Sequence, residues 1–352
     1  MEGGLGKVDR DFLRRVLLRN LGAKNADILV GPGMGLDNAV LSIGAGRVMV
    51  ITADPLSMIP SVGMEDSAWL TVHELASDLT TSAVKPQFAV LDYNLPPSLS
   101  MEDFQRYVKA VGKECSKLGV SIIGGHTGKY PGSDFSVVGG GMMMGTAAES
   151  DYITPKMMQE GDDVIMTKGS AIEATAVLAR TFPRTVQQKL GRAVAEKARG
   201  YFHLCSTVQD ALVASSVGLG SDGVTSMHDA TEGGVLGALY ELARSSERTL
   251  RIDRAGIIVS EESQRVCRLF GLDPLVTVSE GTLLVTCRPH RSPEVLRRLQ
   301  KKGITAAVIG DVGRPGPGRL VVTSAGRSRR YVPPKFDLYW RAYTVGLEKG
   351  WK

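Results

Sequence analysis

No CxxC pair occurs in this sequence, and its four cysteines, Cys115, Cys205, Cys267 and Cys287, are far apart. That spacing argues against both a zinc site and a disulfide framework. No run of about 18 apolar residues exists, so no membrane-spanning helix is expected. The opening lacks the long apolar segment of a secretory signal, and the expected location is the cytoplasm, with no membrane partner. The formal charge of +5 comes without a basic stripe or a known nucleic-acid motif. An anionic small substrate suits that balance, and nucleic acid is not an expected partner. No GxxxxGK[ST] is present, which excludes a P-loop. Gly218-Leu219-Gly220-Ser221-Asp222-Gly223 spells GxGxxG, but Asp210 to Val217 before it reads as helix rather than strand. A dinucleotide fingerprint needs the strand, so that reading is dismissed. Repeats and low-complexity tracts are also missing.

What remains is an ordinary globular composition, 43% hydrophobic and 22% charged over 352 residues. A chain of this size forms a sizeable core without metal or disulfide, and its length predicts two domains. The opening, Met1 to Lys7, is glycine-rich and reads as a mobile lead-in. Asp9 to Leu21 has helical spacing of Phe12, Val16, Leu17 and Leu21 and predicts one amphipathic helix ending at Gly22. Strands are expected at Val48 to Thr52, Phe88 to Asn94, Val120 to Ile123 and Ser136 to Thr146. Helices are expected at Ser67 to Ser82 and Ser100 to Leu118, the latter opening on a Ser100–Asp103 capping box. Composition shifts between Ala147 and Gly161, which predicts a boundary near residue 150. Beyond it come a strand at Val164 to Thr167 and helices at Ala171 to Ala179, Val186 to Ala198, Thr207 to Ser216 and Gly233 to Ser245. Strands follow at Thr282 to Thr286, Ala306 to Gly310 and Arg319 to Thr323. The expected division is 1–148, 149–325 and an appended tail, 326–352. Strands alternate with helices in both halves, which indicates α/β or α+β layers.

Carboxylates gather at expected strand ends and loops. Asp37 sits in the glycine-rich stretch Gly35-Leu36-Asp37-Asn38-Ala39-Val40, and Asp54 follows the strand ending at Thr52. Glu74 and Asp78 lie four apart on one helix face. Mg²⁺ bound with a triphosphate needs such carboxylates around phosphate oxygens. The alternative is that Asp37 and Asp54 cap turns or helices. Gly124-Gly125-His126-Thr127 follows a buried strand, and its small residues would let backbone N–H groups approach an anion. A lone histidine there is either structural or an acid/base group. Asp229-Ala230-Thr231-Glu232-Gly233-Gly234 precedes a long helix. Thr231 or Asp229 could cap it, or the glycines could leave its N-terminus open to an anion. Ser279-Glu280-Gly281 offers one more carboxylate or a turn.

In this order the motifs resemble the superfamily of aminoimidazole ribonucleotide (AIR) synthetase, thiamine monophosphate kinase, selenophosphate synthetase and the hydrogenase-maturation factor HypE. The resemblance runs from about Gly31 to Gly313. The family's Gly-Asp-Asp-Ala-Ala-Val is similar to Gly35 through Val40, and its Thr-Thr-Asp to Thr52-Ala53-Asp54. Its Asn-Asp and following Gly-Ala-x-Pro are similar to Ser77-Asp78 and to Ser82-Ala83-Val84-Lys85-Pro86. HypE's Asp-Pro-Thr-Arg-Gly-Gly resembles Asp229 through Gly234, and its Asn-Glu-Gly resembles Ser279-Glu280-Gly281.

The resemblance implies a two-domain AIR synthase-like fold whose N-terminal sheet domain pairs with its copy in a homodimer, with a C-terminal α/β domain beside it. It implies ATP and Mg²⁺ as cofactors, with Asp37, Asp54 and Asp78 holding the metal. Lys7, Gly35, Asp37, Asn38, Gly124, Gly125, Thr127, Asp229, Thr231, Gly233 and Gly234 would then bind nucleotide. His126, Lys129 and Glu280 are the expected catalytic groups. Two departures stand out. HypE reads Gly-Asp-Thr-Lys where this chain has Gly125-His126-Thr127-Gly128-Lys129. HypE also ends in a reactive cysteine, whereas the last cysteine here is Cys287, so that cyano-group route is not expected. The expected activity is ATP-dependent phosphorylation of an amide, carbonyl or hydroxyl oxygen on a small or protein-borne substrate. The alternatives are a thiamine-monophosphate-kinase-like enzyme and a non-catalytic nucleotide-binding assembly factor with a maturation partner.

Overall fold

The computed structural model describes residues 6–352, so all but the last two residues of the glycine-rich opening lie outside the described residues. The chain divides into two compact units. The smaller comprises residues 26–31 and 37–152, and the larger the remainder. The first helix, α1 (Arg10–Arg15), belongs to the larger unit and is capped by Asp9, whose carboxylate accepts the N–H groups of Asp11 and Phe12. A 3-10 turn, Leu17–Arg19, follows it. The expected single helix to Leu21 is therefore corrected to one short helix and a turn. Phe12, Val16, Leu17 and Leu21 are all exposed, so no buried face carries the helix further.

In the smaller unit the strands are β1 (Ile28–Val30), β2 (Ala39–Ser42) and β3 (Arg47–Ser57), followed by α2 (Met64–Thr80), β4 (Phe88–Leu95), α3 (Met101–Leu118), β5 (Ser121–Lys129) and β6 (Val137–Ala148). They form a six-stranded sheet in the order β1-β2-β3-β6-β4-β5, with β4 and β5 the parallel pair. Period-two burial sets the faces. Val48, Val50, Thr52 and Leu56 of β3, with Ala89, Leu91, Tyr93 and Leu95 of β4, turn inward beneath α2. Helix α3 lays Phe104, Tyr107, Val111 and Cys115 against α2. Its capping box forms: Asp103 N–H donates to Ser100 Oγ at 3.0 Å, and the Ser100 hydroxyl donates to Asp103 Oδ2 at 2.9 Å. The opposite face of the sheet leaves Phe88 and Met142 exposed, and Ile122 and Ile123 of the edge strand are exposed as well.

Two strands run further than expected. β3 continues through Asp54 and Pro55, paired with Gly141 and Gly140 of β6, so Asp54 lies within the strand rather than after it. β5 continues to Lys129 along β4, so Gly124 to Thr127 are strand residues. Gly125 has φ 149°, and a Cβ there would fall 1.8 Å from the Leu91 carbonyl oxygen. The glycine is demanded by the neighbouring strand's backbone.

The larger unit contains β7 (Asp163–Thr167), α4 (Ile172–Thr181), α5 (Pro183–Leu190), α6 (Arg192–Gly200), α7 (Val208–Ser215), β8 (Val224–Ala230), α8 (Gly234–Ser245), β9 (Arg248–Asp253), α9 (Glu261–Phe270), β10 (Thr282–Cys287), α10 (Ser292–Lys301), β11 (Ala306–Pro315), β12 (Arg319–Ser324), β13 (Arg327–Tyr331) and α11 (Tyr339–Glu348). Its seven-stranded sheet has the order β13-β12-β9-β11-β7-β10-β8. Leu236, Leu239 and Leu242 of α8 pack on Met166, Leu250, Leu284 and Leu320 of the sheet.

Three expectations are corrected here. The stretch Val186 to Ala198 is two helices, because Gly191 at φ 90° breaks it. Val224 to Ala230, for which no strand was expected, forms β8, buried along its whole length because α7 and α8 cover it. Residues 326–352 are not a loose appendage. β13 pairs with β12 as the sheet's edge, and Tyr339 of α11 joins Phe182, Val186 and Val266 in a second core. The GxGxxG stretch holds a 3-10 turn between α7 and β8, with no strand before it. The two-sheet, mixed α/β architecture itself is as expected.

Candidate functional site

In the smaller unit one threonine links two of the predicted residues, the backbone of Asp37 and the carboxylate of Asp78. Thr52 Oγ1, on the inward face of β3, lies 2.9 Å from the Asp37 carbonyl oxygen and 2.9 Å from Asp78 Oδ2. Asn38 Nδ2 donates to the Asp78 carbonyl at 2.8 Å and to Thr81 Oγ1 at 2.9 Å. The Asp37–Asn38 loop is therefore stitched to the last turn of α2. Asp54 lies two residues beyond Thr52 on the same face of β3. Among the described residues, the oxygens of Asp37, Asp54 and Asp78 do not form a group that all lie within 4.8 Å of one another. A closed cage of three carboxylates is thus not built. One or two carboxylates completed by water and phosphate oxygens is the usual magnesium arrangement, and these residues fit it.

His126 and Lys129 part company. In the parallel register His126 stands beside Asp92, and Lys129 beside Leu95, so they leave β5 on opposite faces. His126 Nε2 lies 2.7 Å from the Tyr130 hydroxyl, while Lys129 Nζ donates to the Leu99 carbonyl at 2.5 Å. Thr127 pairs with Tyr93 on the Lys129 side. On the open face Asn94 Nδ2 donates to Asp92 Oδ2 at 3.2 Å. Asp92 borders a cavity of about 470 Å³ floored by Ala53, Pro55, Val90, Gly140 and Met142. Sequence reasoning missed Asp92 and Tyr130. The polar Asp92 and Asn94 at alternate positions of an apolar strand were the available signal.

In the larger unit the turn Thr231 to Gly234 is held from several sides. The Gly234 and Ser279 N–H groups both donate to the Thr231 carbonyl, at 3.1 and 3.2 Å. Lys7 Nζ donates to Thr231 Oγ1 at 2.8 Å, and Lys7 N–H donates to Glu232 Oε2 at 2.6 Å. Gly35 lies against α8, where a Cβ would fall 2.7 Å from the Glu241 carbonyl oxygen. Gly233 is the N-cap of α8 in the left-handed region, with no cap from Thr231 or Asp229. Its N–H donates instead to Asp337 Oδ2 at 2.9 Å. Burial raises the Asp337 carboxyl above the ordinary range, against the hydrogen bonds it accepts from Gly233, Tyr339 and Thr277. Gly234, at φ 63°, could carry no side chain: a Cβ would meet the Thr277 and Leu275 carbonyls. Asp229 is buried at the end of β8, in register with Leu283, and Glu280 is buried just before β10.

Beside Asp229, His228 Nε2 lies 3.5 Å from Glu241 Oε2. Burial pushes the Glu241 carboxyl up, but the His228 hydrogen bond and the Lys7 and Arg10 charges outweigh it and hold the group low. Lys168, at the end of β7, donates to Asp210 Oδ2 at 3.1 Å and to the Ser206 carbonyl at 2.6 Å. Burial raises Asp210, with Lys168 opposing. Neither this pair nor Asp337 was foreseen, because no local motif links residues so far apart in sequence.

All four cysteines are buried. Burial pushes the thiols of Cys115 and Cys287 to about 11 and that of Cys267 to about 12. These three are held protonated, which removes them as nucleophiles at neutral pH.

Residues 35–147 match the model of the AIR synthase related protein N-terminal domain, and residues 159–323 match that of the C-terminal domain. A hydrogenase expression/formation protein of Methanocaldococcus jannaschii is 26% identical, covering 93% of this chain and 94% of that protein. The carbamoyl dehydratase HypE of Rhizobium leguminosarum bv. viciae is 28% identical over 79% of this chain and 77% of its own length. Among solved structures, HypE–HypF superposes with a TM-score of 0.71 at 20% identity, over 92% of this chain and 99% of that one. HypE in complex with ATP gives 0.64 at 21%, over 94% and 96%. With both domain models matched in order across most of its length, the chain belongs to the AIR synthase related protein family.

Proposed function

We propose that this protein is an ATP- and Mg²⁺-dependent enzyme that phosphorylates an amide, carbonyl or hydroxyl oxygen of a small or protein-borne substrate. The observation that carries the reading is the Asp37–Thr52–Asp78 arrangement, with Asp54 on the same face. Family membership and the ATP complex of a HypE structure support it. Bound Mg²⁺ would neutralise phosphate charge, which is the main catalytic requirement of phosphoryl transfer. Thr52 orients the Asp78 carboxylate and fixes the Asp37 backbone beside it, so that part of the site is preorganised. Lys7 carries a cation of the kind that binds phosphate. His126 stands on the open face with Asp92 and is available there to donate a hydrogen bond to substrate, with Tyr130 fixing its ring.

The buried thiols favour oxygen phosphorylation over chemistry that needs a cysteine acceptor. We place the protein in the cytoplasm; among the described residues no helix is long and apolar enough to cross a membrane. We also propose a homodimer through the open face of the smaller sheet, where Phe88 and Met142 are exposed. The likeness to HypE in its complex with HypF supports a maturation partner as a second binding role. The test of activity is the fate of the label of γ-labelled ATP with candidate amide, carbonyl and hydroxyl substrates, either retained on the product or released as phosphate. Magnesium-dependent turnover is expected. Nucleotide binding without turnover on any substrate would favour the non-catalytic assembly factor.

A further inference from the structure

The two ends of the described chain meet on one side chain. Glu232 Oε2 accepts the Lys7 N–H at 2.6 Å, and its other oxygen, Oε1, accepts the Trp340 indole N–H at 3.1 Å. Gly6 is pressed so closely on Glu232 that a Cβ would lie 2.6 Å from Oε2. A parallel tie runs from Arg10, whose guanidinium donates to the Pro334 carbonyl at 3.0 Å and lies 3.7 Å from Glu241. Asp337 binds the next residue of the same turn, the Gly233 N–H, and also accepts from Thr277 and Tyr339. The tail is itself anchored. Trp351 packs edge-on to Phe182 and Phe270, and the Lys352 N–H donates to Thr185 Oγ1 at 3.1 Å.

We infer that the carboxy-terminal segment is a splint for Lys7, with Trp340 and Glu232 as positioning residues. A carboxylate with two oxygens can hold two donors at once, each in a charge-assisted bond. Trp340 orients the carboxylate through one oxygen, and the other then fixes the Lys7 backbone. The Lys7 ammonium is in turn directed onto Thr231. Where HypE carries arginine in this motif, a cation could not accept from either partner, so the device depends on glutamate at 232. The tail thereby controls the placement of a lysine nearly the whole chain away.

The test is amide hydrogen exchange at Lys7 and Val8 in the full chain, in a double-mutant cycle of Trp340→Phe and Glu232→Gln. Trp340→Phe keeps an aromatic side chain, though a smaller one, and removes the indole N–H donor. It should speed exchange at Lys7 about fivefold, the size of one ordinary hydrogen bond. Glu232→Gln should speed it as well, and adding Trp340→Phe to Glu232→Gln should change nothing further. Unchanged exchange in Trp340→Phe, or additive effects in the double variant, would overturn the splint. If Trp340→Phe loosened α11 as a whole, its effect would persist in the Glu232→Gln background and count against it. A second readout is affinity for a non-hydrolysable ATP analogue, expected to fall in Trp340→Phe with an unchanged melting temperature. Failure of the wild-type protein to bind the analogue would bear on the nucleotide reading alone and leave the exchange result standing.

Discussion

Thr52 Oγ1 on β3 lies 2.9 Å from Asp78 Oδ2 on α2, and the same oxygen lies 2.9 Å from the Asp37 carbonyl. One hydroxyl thus joins three segments that the sequence keeps apart. Thr52→Val preserves shape and removes that hydroxyl. It should weaken magnesium-dependent nucleotide binding roughly tenfold and lower stability by about 1–3 kcal/mol. Titration calorimetry and urea unfolding read the two effects separately.

His126 and Asp92 stand side by side in the β4–β5 register, with His126 also on the Tyr130 hydroxyl. A neutral imidazole is a poor magnesium ligand. His126→Ala should therefore reduce turnover while leaving Mg²⁺ affinity within about twofold, since one polar contact to substrate is worth little to the metal. His126→Asp should preserve or tighten metal binding while impairing turnover. Loss of metal binding in a folded His126→Ala protein would contradict this role.

Lys168 and Asp210 form a buried ion pair, their side chains 9% and 3% exposed. Lys168→Met leaves Asp210 buried without its cation and should destabilise the protein by about 3–5 kcal/mol in urea unfolding. The double variant with Asp210→Asn should recover part of that loss.

Glu262 gives the pH dependence a sign. The Lys197 ammonium at 2.9 Å, helped by the Tyr201 hydroxyl, holds its carboxyl below the ordinary carboxylate range. An acid depressed on folding stabilises above its unfolded value and loses that contribution as pH falls through the folded one. Glu262→Gln should be less stable than wild type at pH 7, and the gap should close as the pH is lowered below 4.5. A gap that stayed constant to acid pH would contradict the ion-pair assignment.

Much of the fold was legible where local pattern and burial agree. Ser100 and Asp103 announced α3, and the strand expected at Phe88 to Asn94 is β4. β8 was missed because Thr225, Ser226, His228 and Asp229 carry no apolar alternation; the covering helices bury them. α11 was missed because its anchors, Phe182 and Phe270, are more than sixty residues away. In the candidate site, Asp37 and Asp78 were legible as motif residues, and Thr52 does join them. The opposite facing of His126 and Lys129 was not, because it depends on β5 continuing past its glycines, a choice made by the partner strand. Asp337 and Trp340 were invisible for the same reason as α11: their contacts are fixed by tertiary docking alone.

The measurement that bears most directly on the proposed function is calorimetric titration of the full chain with a non-hydrolysable ATP analogue, with and without Mg²⁺. The account predicts saturable binding that strengthens at least tenfold with Mg²⁺, an advantage that Asp37→Asn and Asp78→Asn each greatly reduce, because these carboxylates would hold the metal. Absence of binding at millimolar nucleotide and Mg²⁺, or binding indifferent to both substitutions, would contradict it.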